Sequence, residues 1–331
     1  MGRVGAILGC ALVLTCVTPS SATPTPPPVV PTSIQVAAVP VPALGKNASL
    51  NGRRPFPAGN AWNTRIDTAA VDPHSRTLIA SIGASDRLHP DFGADWDGGP
   101  FGIPYVVVTG TQKRVPVSFE YADESDRGPY PVPTTAPIEG GAASDGDRHV
   151  LVVDRDNWTL YELYAAYPKS GGKRWTAGSG AVFNLTTGKS RPAGWTSADA
   201  AGLPIFPGLV RYDEVSAGVI KHALRFTVGQ TRRGYVAPAR HFASTKTSTA
   251  LPPLGMRVRL KASFPISGYP KQARVVLQAM KTYGMIVADN GSDWYISGAP
   301  DKRWDDDALN TLKKVPGSAF EVVKMGKVST R

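Results

Sequence analysis

Thirty-four glycines and thirty prolines punctuate this chain of 331 residues, and the apolar runs between them are short. "GIPYVVV" (Gly102 to Val108), "VPVSFEY" (Val115 to Tyr121), "HVLVVD" (His149 to Asp154), "LYELYAAY" (Leu160 to Tyr167) and "MRVRLKASF" (Met256 to Phe264) are rich in Val, Tyr and Phe and are bounded by Gly, Pro, Asp and Ser. β-Branched and aromatic residues suit a pleated, half-buried surface, and such bounded runs read as strands. Their spacing predicts a mainly β fold, a β-sandwich or jelly roll, rather than repeated βαβ units. A hydrophobic content of 42% supplies the core such a fold needs and excludes a mostly disordered chain.

The last stretch changes character. "PKQARVVLQAMKTYG" places Ala273, Val276, Leu277, Met280 and Tyr283 at helical spacing, with Pro270 at the start and Gly284 at the stop. "MIVADNGSDWYIS" predicts a hairpin around Asn290-Gly291. "DDDALNTLKKV" carries acids in its first turn and Lys313 and Lys314 in its last, as the helix dipole prefers, and "AFEVV" adds a strand. The expected organisation is an export signal over 1–22, a proline-rich linker over 23–55, a β-sandwich over 56–265, and a helix-containing α/β part over 266–331 packed on the same globular unit.

Both cysteines, Cys10 and Cys16, fall in the signal: Arg3 is its basic start, Val4 to Val17 its apolar core, and Ala22 the expected cleavage point. The apolar run is shorter than the roughly 20 residues a spanning helix needs, so the expected mature protein is secreted and extracellular, with no membrane attachment. Removal of the signal leaves no cysteine, which excludes a disulfide framework, a zinc–thiolate site and a cysteine nucleophile. The formal net charge is +11, of which Arg3 contributes one. A basic exported monomer is biased towards acidic partners, an anionic polysaccharide above all; no nucleic-acid motif occurs.

The stretch Arg191 to Val228 concentrates the polar candidates. "LVRYDEV" alternates, as does "VIKHALRFTV", so a hairpin turning at Ser216-Ala217-Gly218 would set Tyr212 opposite His222 with Glu214 a diagonal step away. A carboxylate on an otherwise apolar face is expected to have a raised pKa, as general acid catalysis requires. Glu214 is the expected acid, Asp199 or Asp213 its partner, with His222 and Tyr212 in support. Equally open at this stage is a core histidine merely satisfied by Tyr212 or Glu214. In the loop before, Ser197 or Thr196 can cap a helical turn holding Asp199, or Trp195 can stack on a sugar with Asp199 in the cleft. Arg225, Arg240 and His241 complete the expected substrate contacts.

Asp145, Asp147 and His149 alternate before a strand and form a weak calcium pattern; otherwise no cofactor is required. Asp91 in "LHPDFG" and Glu124 and Asp126 in "DESDRGPYP" are further carboxylates, each able to supply half of a glycosidase pair or simply to cap a turn. No GxSxG elbow, P-loop or GxGxxG occurs, which removes support from serine hydrolysis, nucleotide phosphoryl transfer and hydride transfer.

"LHPDFG", "DESDRGPYPVP", "APIEGG", "DRHVLVVD" and "RPAGWTSADAAGLPI" together resemble a family of secreted bacterial and fungal proteins sharing such strings, over about Phe56 to Val323. The resemblance implies an exported protein acting on polymers outside the cell and assigns no residue a role. The expected function is therefore a secreted carbohydrate-active enzyme, a glycoside hydrolase first. A lyase using His222 and Tyr212, with Arg225 or Arg240 on a uronate, is the second reading. A glycan-binding protein without catalysis is the third.

Overall fold

The computed structural model describes residues 1–2, 5–6, 9, 11–16 and 38–330; the expected cleavage point at Ala22 and the proline-rich stretch to residue 37 lie outside them. No helix among the described residues is long and apolar enough to cross a membrane. Contacts gather Val39–Arg331 into one body. The folded part thus begins well before residue 56. Leu50 is fully buried in the main core, and strand β1 (Gly45–Lys46) pairs within a sheet, so the second half of the expected linker belongs to the body.

The remaining strands, in chain order, begin with β2 (His89–Asp91), β3 (Gly93–Trp96), β4 (Gly99–Phe101), β5 (Tyr105–Val108) and β6 (Val117–Phe119). Then come β7 (Val150–Asp154), β8 (Thr159–Tyr164), β9 (Tyr167–Lys169), β10 (Arg174–Ala177) and β11 (Ser179–Asn184). The last are β12 (Leu224–Val228), β13 (Arg257–Leu260), β14 (Met285–Asn290), β15 (Tyr295–Ser297) and β16 (Phe320–Val322). The helices are α1 (Ser75–Ile82), α2 (Tyr212–Ser216), α3 (Lys271–Thr282) and α4 (Asp306–Asn310). The fold is mainly β, with several sheets and few helices.

A five-stranded sheet has the order β1-β5-β7-β8-β11 and a six-stranded one the order β16-β13-β14-β12-β15-β2. β7 is buried along its whole length, which explains why its sequence is a continuous apolar run rather than an alternation. The C-terminal strands do not form a separate layer. β14, β15 and β16 share one sheet with β2, β12 and β13, so this sheet spans the expected boundary at 265. α3 forms as its periodicity predicts, with Pro270 at its N-cap and Gly284 at φ +71° just beyond its end.

Two expected hairpins are absent. β14 and β15 flank β12 instead of pairing with each other. The stretch 209–228 holds helix α2 in place of the first arm, while β12 pairs in parallel with β14. Seven alternating residues fit either period, and here the helix wins for local reasons. Asp213 and Glu214 fall in its first turn, where the dipole favours acids; Glu214 also reaches back to Arg211 at 2.7 Å.

β12 and β14 pair with an irregularity between Phe226 and Thr227, so Thr227 faces Asp289 rather than Ala288. Side chains alternate along a strand, and one extra residue moves the next side chain to the other face. The bulge thereby turns Asp289 towards Arg225. Across β15 the same face continues through Ser297, which accepts from Arg225, to Asp91, its register partner on β2.

Candidate active site

The hairpin β3–β4, the end of β2, the 138–141 loop and α4 enclose a cleft of ≈ 1000 Å³. Asp306 holds two of these walls together: its carboxylate accepts from the backbone N–H of Ala94 at 2.8 Å and of Asp95 at 3.0 Å. Trp96 stands 74% exposed at the rim with Phe101 behind it at 6.3 Å. On the far wall His89 stacks on Tyr295 at 4.0 Å, nearly parallel. Aromatic faces at a cleft are the usual platforms for flat apolar surfaces, sugar rings among them.

Five carboxylates line this cleft. Asp95 and Asp97 are exposed on the β3–β4 hairpin and Asp306 is bonded to its backbone, which leaves Asp91 and Glu139 as the two that act on each other. Glu139 is half-buried, and its Oε2 meets Nδ1 of the buried His149 at 2.5 Å. The other ring nitrogen, Nε2, lies 3.0 Å from the carbonyl of Ala198. Both nitrogens face acceptors, and only an imidazolium can donate to both. Burial pulls the His149 pKa down, but the Glu139 carboxylate outweighs it and the value rises to about 9. Burial pushes Glu139 up, yet His149 and then Arg225 hold it below the ordinary carboxylate value. Asp91, exposed at the end of β2, moves the opposite way, raised by partial desolvation and by the Glu139 charge, against Arg225. Its contact with solvent at the cleft moderates that rise.

Beneath the cleft the polar network continues. Arg225, buried on β12, grips Asp199 with Nε and Nη2, both at 2.9 Å, and donates Nη1 to Ser297 at 2.7 Å. Asp289 stands 3.6 Å from the same guanidinium. Its carboxyl is pushed up to about 7 by burial and by Asp199, with Arg225 opposing. Glu162, fully buried on β8, accepts from the backbone N–H of Ile205 and Phe206 and is raised to about 7, mostly by burial. The 197–206 loop is thus clamped between the two large sheets. Its Ser197 bonds within the loop, to Asp199 and Leu203, and caps no helix.

The residues singled out from the sequence are distributed differently from expectation. Glu214 and His222 do meet, at 3.0 Å, but across the end of α2 and away from the cleft. Glu214 also pairs with Arg211 at 2.7 Å; burial pushes it up, and Arg211 with His222 more than reverse this, so its pKa is lowered rather than raised. That removes the basis for a general acid there. Asp213 is spent on the chain at 49–50, accepting from Leu50 N–H at 2.9 Å and Ser49 hydroxyl at 3.1 Å. Tyr212 packs against Trp304 and under Arg303.

Asp199 and Arg225 occupy each other, so neither reaches a uronate or an exposed substrate. Trp195 is half-buried under Arg191, Arg240 donates to the carbonyl of Arg191, and His241 Nδ1 bonds Ala200. Glu124 accepts from Thr196 N–H, and Asp126 pairs with Arg191, which fastens the "DESD" loop to the 191–197 segment. Asp145 and Asp147 are exposed while His149 turns inward, so the calcium pattern does not assemble; no group of three metal-binding side chains gathers among the described residues. Of the sequence candidates, Asp91 alone reaches the cleft. Glu139 was missed: its only local signal is a carboxylate just before Gly140-Gly141. No family model, curated protein or solved structure matches this chain.

Proposed function

We propose that the protein is a secreted glycoside hydrolase whose reacting pair is Asp91 and Glu139, not the Glu214 cluster. The observation that carries the reading is two cleft carboxylates driven apart in proton affinity by their neighbours. Such a pair supplies an acid and an ionised partner at one pH. Asp91 protonates the glycosidic oxygen. Glu139, kept ionised by His149, either takes a proton from the water that attacks the anomeric carbon, or attacks that carbon itself to form a glycosyl ester that water then cleaves. Trp96, Phe101 and Tyr295 offer faces for the sugar rings on either side. A lyase loses ground because His222 and Arg225 are buried and committed to protein partners.

The test incubates the purified protein with a polysaccharide panel, following reducing ends together with unsaturated-uronate absorbance. Reducing ends without the absorbance, and their loss in Asp91→Asn and Glu139→Gln, are expected. Undiminished cleavage by both variants, or binding without cleavage of any polymer, sinks the reading.

A further inference from the structure

A second cleft, of ≈ 490 Å³, is lined by Arg232, Arg233, Thr247, Thr249, Val328 and Thr330. It is separate in lining and in chemistry from the cleft of Asp91 and Glu139, for no carboxylate of the described residues borders it. Three chain segments build it. Arg232 N–H donates to Pro252 at 3.0 Å and Arg233 N–H to Lys246 at 2.6 Å, which fixes the 230–235 strip against the 246–252 loop. Tyr235 and Ser329 exchange both backbone hydrogen bonds, at 2.9 and 2.8 Å, which brings in the C-terminal segment. Gly234 permits that approach, since a Cβ there would lie 2.9 Å from a Val328 methyl.

Among the described residues the two arginines meet no counterion. Neither is in an ion pair among the described residues, and Nε of Arg232 is buried with no hydrogen-bond partner. Burial alone lowers the Arg232 pKa; no acid acts against it. An unpartnered buried donor on a cation is costly. Arg211 also has a buried Nε without a hydrogen bond, but its Nη2 is paired with Glu214 at 2.7 Å, whereas Arg232, half-buried, pairs with no carboxylate among the described residues. A planar guanidinium fork beside threonine hydroxyls is suited to an oxyanion.

We infer that the cleft of Arg232 and Arg233 binds an oxyanion, carried as the repeating acidic group of a polysaccharide. The site does not depend on the Asp91–Glu139 reading, and its test measures binding only, so either can fail alone. Calorimetric titrations of the whole protein use polygalacturonate, a neutral glucan and inorganic sulfate. Polygalacturonate is expected to bind, the glucan not, and the double variant Arg232→Gln/Arg233→Gln to weaken binding at least tenfold. Arg233→Gln alone, at an exposed position, is expected to weaken it at least threefold, and keeps the test intact if the double variant does not fold. Raised salt must weaken the wild-type interaction, because exposed charges are screened. Sulfate binding without polygalacturonate binding overturns the polymer as carrier. The oxyanion site itself is overturned if neither probe binds, or if the variants bind as the wild type does.

Discussion

Two glutamate–histidine pairs occur in this protein, and their settings differ. In each, one imidazole nitrogen meets a carboxylate and the other a backbone carbonyl: Glu139 with His149 and Ala198, Glu214 with His222 and Ala223. Around Glu214 a further cation, Arg211, completes the neutralisation, and the group lies under the chain at 49–50. Glu139 has no such direct second partner, borders an open cleft and acts on another carboxyl, Asp91. A charge pair matched on every side is a fastening. One that leaves a carboxylate facing a cleft beside a second acid has chemistry to spare.

Removing the cleft carboxylate should have the largest effect. Glu139→Gln is expected to cut hydrolysis by roughly 10²–10⁴, the usual worth of a general acid or base, and also to lower the melting temperature, because buried His149 loses its carboxylate partner. Kinetics on the cleaved polymer checks this. The matching change in the other pair, Glu214→Ala, is expected to destabilise the fold by about 3–5 kcal/mol, because it leaves a buried Arg211 without its closest carboxylate. Turnover per folded molecule should stay unchanged. If turnover per folded molecule follows Glu214 and is untouched by Glu139→Gln, the site assignment falls.

Acidity sharpens the comparison. The His149 pKa is raised to about 9, so its stabilisation is whole below its ordinary 6.5 and is lost as pH climbs through 9. Glu139 is lowered, so its share is whole above 4.5 and is lost as pH falls. The pair is therefore complete between those ordinary values. The wild-type melting temperature should drop between about pH 6.5 and 10 by more than that of His149→Gln, which lacks the titrating ring. Equal slopes would remove His149 from the account. Trp96→Ala should have the smallest effect, raising KM by roughly fivefold for about 1 kcal/mol of lost ring contact, with kcat kept. A kcat loss instead would place Trp96 at the reacting bond.

Much of the fold was legible because its signals are local. The apolar run Val150 to Val153 reads as a buried strand wherever it is met, and Ala273 to Met280 repeat at helical spacing. The hairpins failed because partner choice is not local: nothing in "VADNGSDWY" records that β12 enters between its two halves. The site failed for a related reason. Glu214 and His222 are near in sequence and were found as a pair, but whether a pair faces a cleft depends on walls drawn from residues 89–101, 138–141 and 295–313. Asp91 and Glu139 come together only through that long-range assembly. The raised pKa expected of Glu214 rests on a strand, whose alternation sends Arg211 to the opposite face; in α2 the three-residue spacing brings the two together at 2.7 Å.

The six-stranded sheet has a consequence for synthesis. Its edge strand β16 ends at Val322, and the backbone of that residue is tied to Asp72 and Ser75 near the other end of the chain. A ribosome must therefore add 247 residues after Ser75 before the sheet can close. Until then β13 has an open edge, and the nascent chain depends on whatever shields it. A stop codon just before Phe320 would remove the closing strand and leave an exposed β edge, an aggregation hazard, so truncation there should act as loss of the whole product.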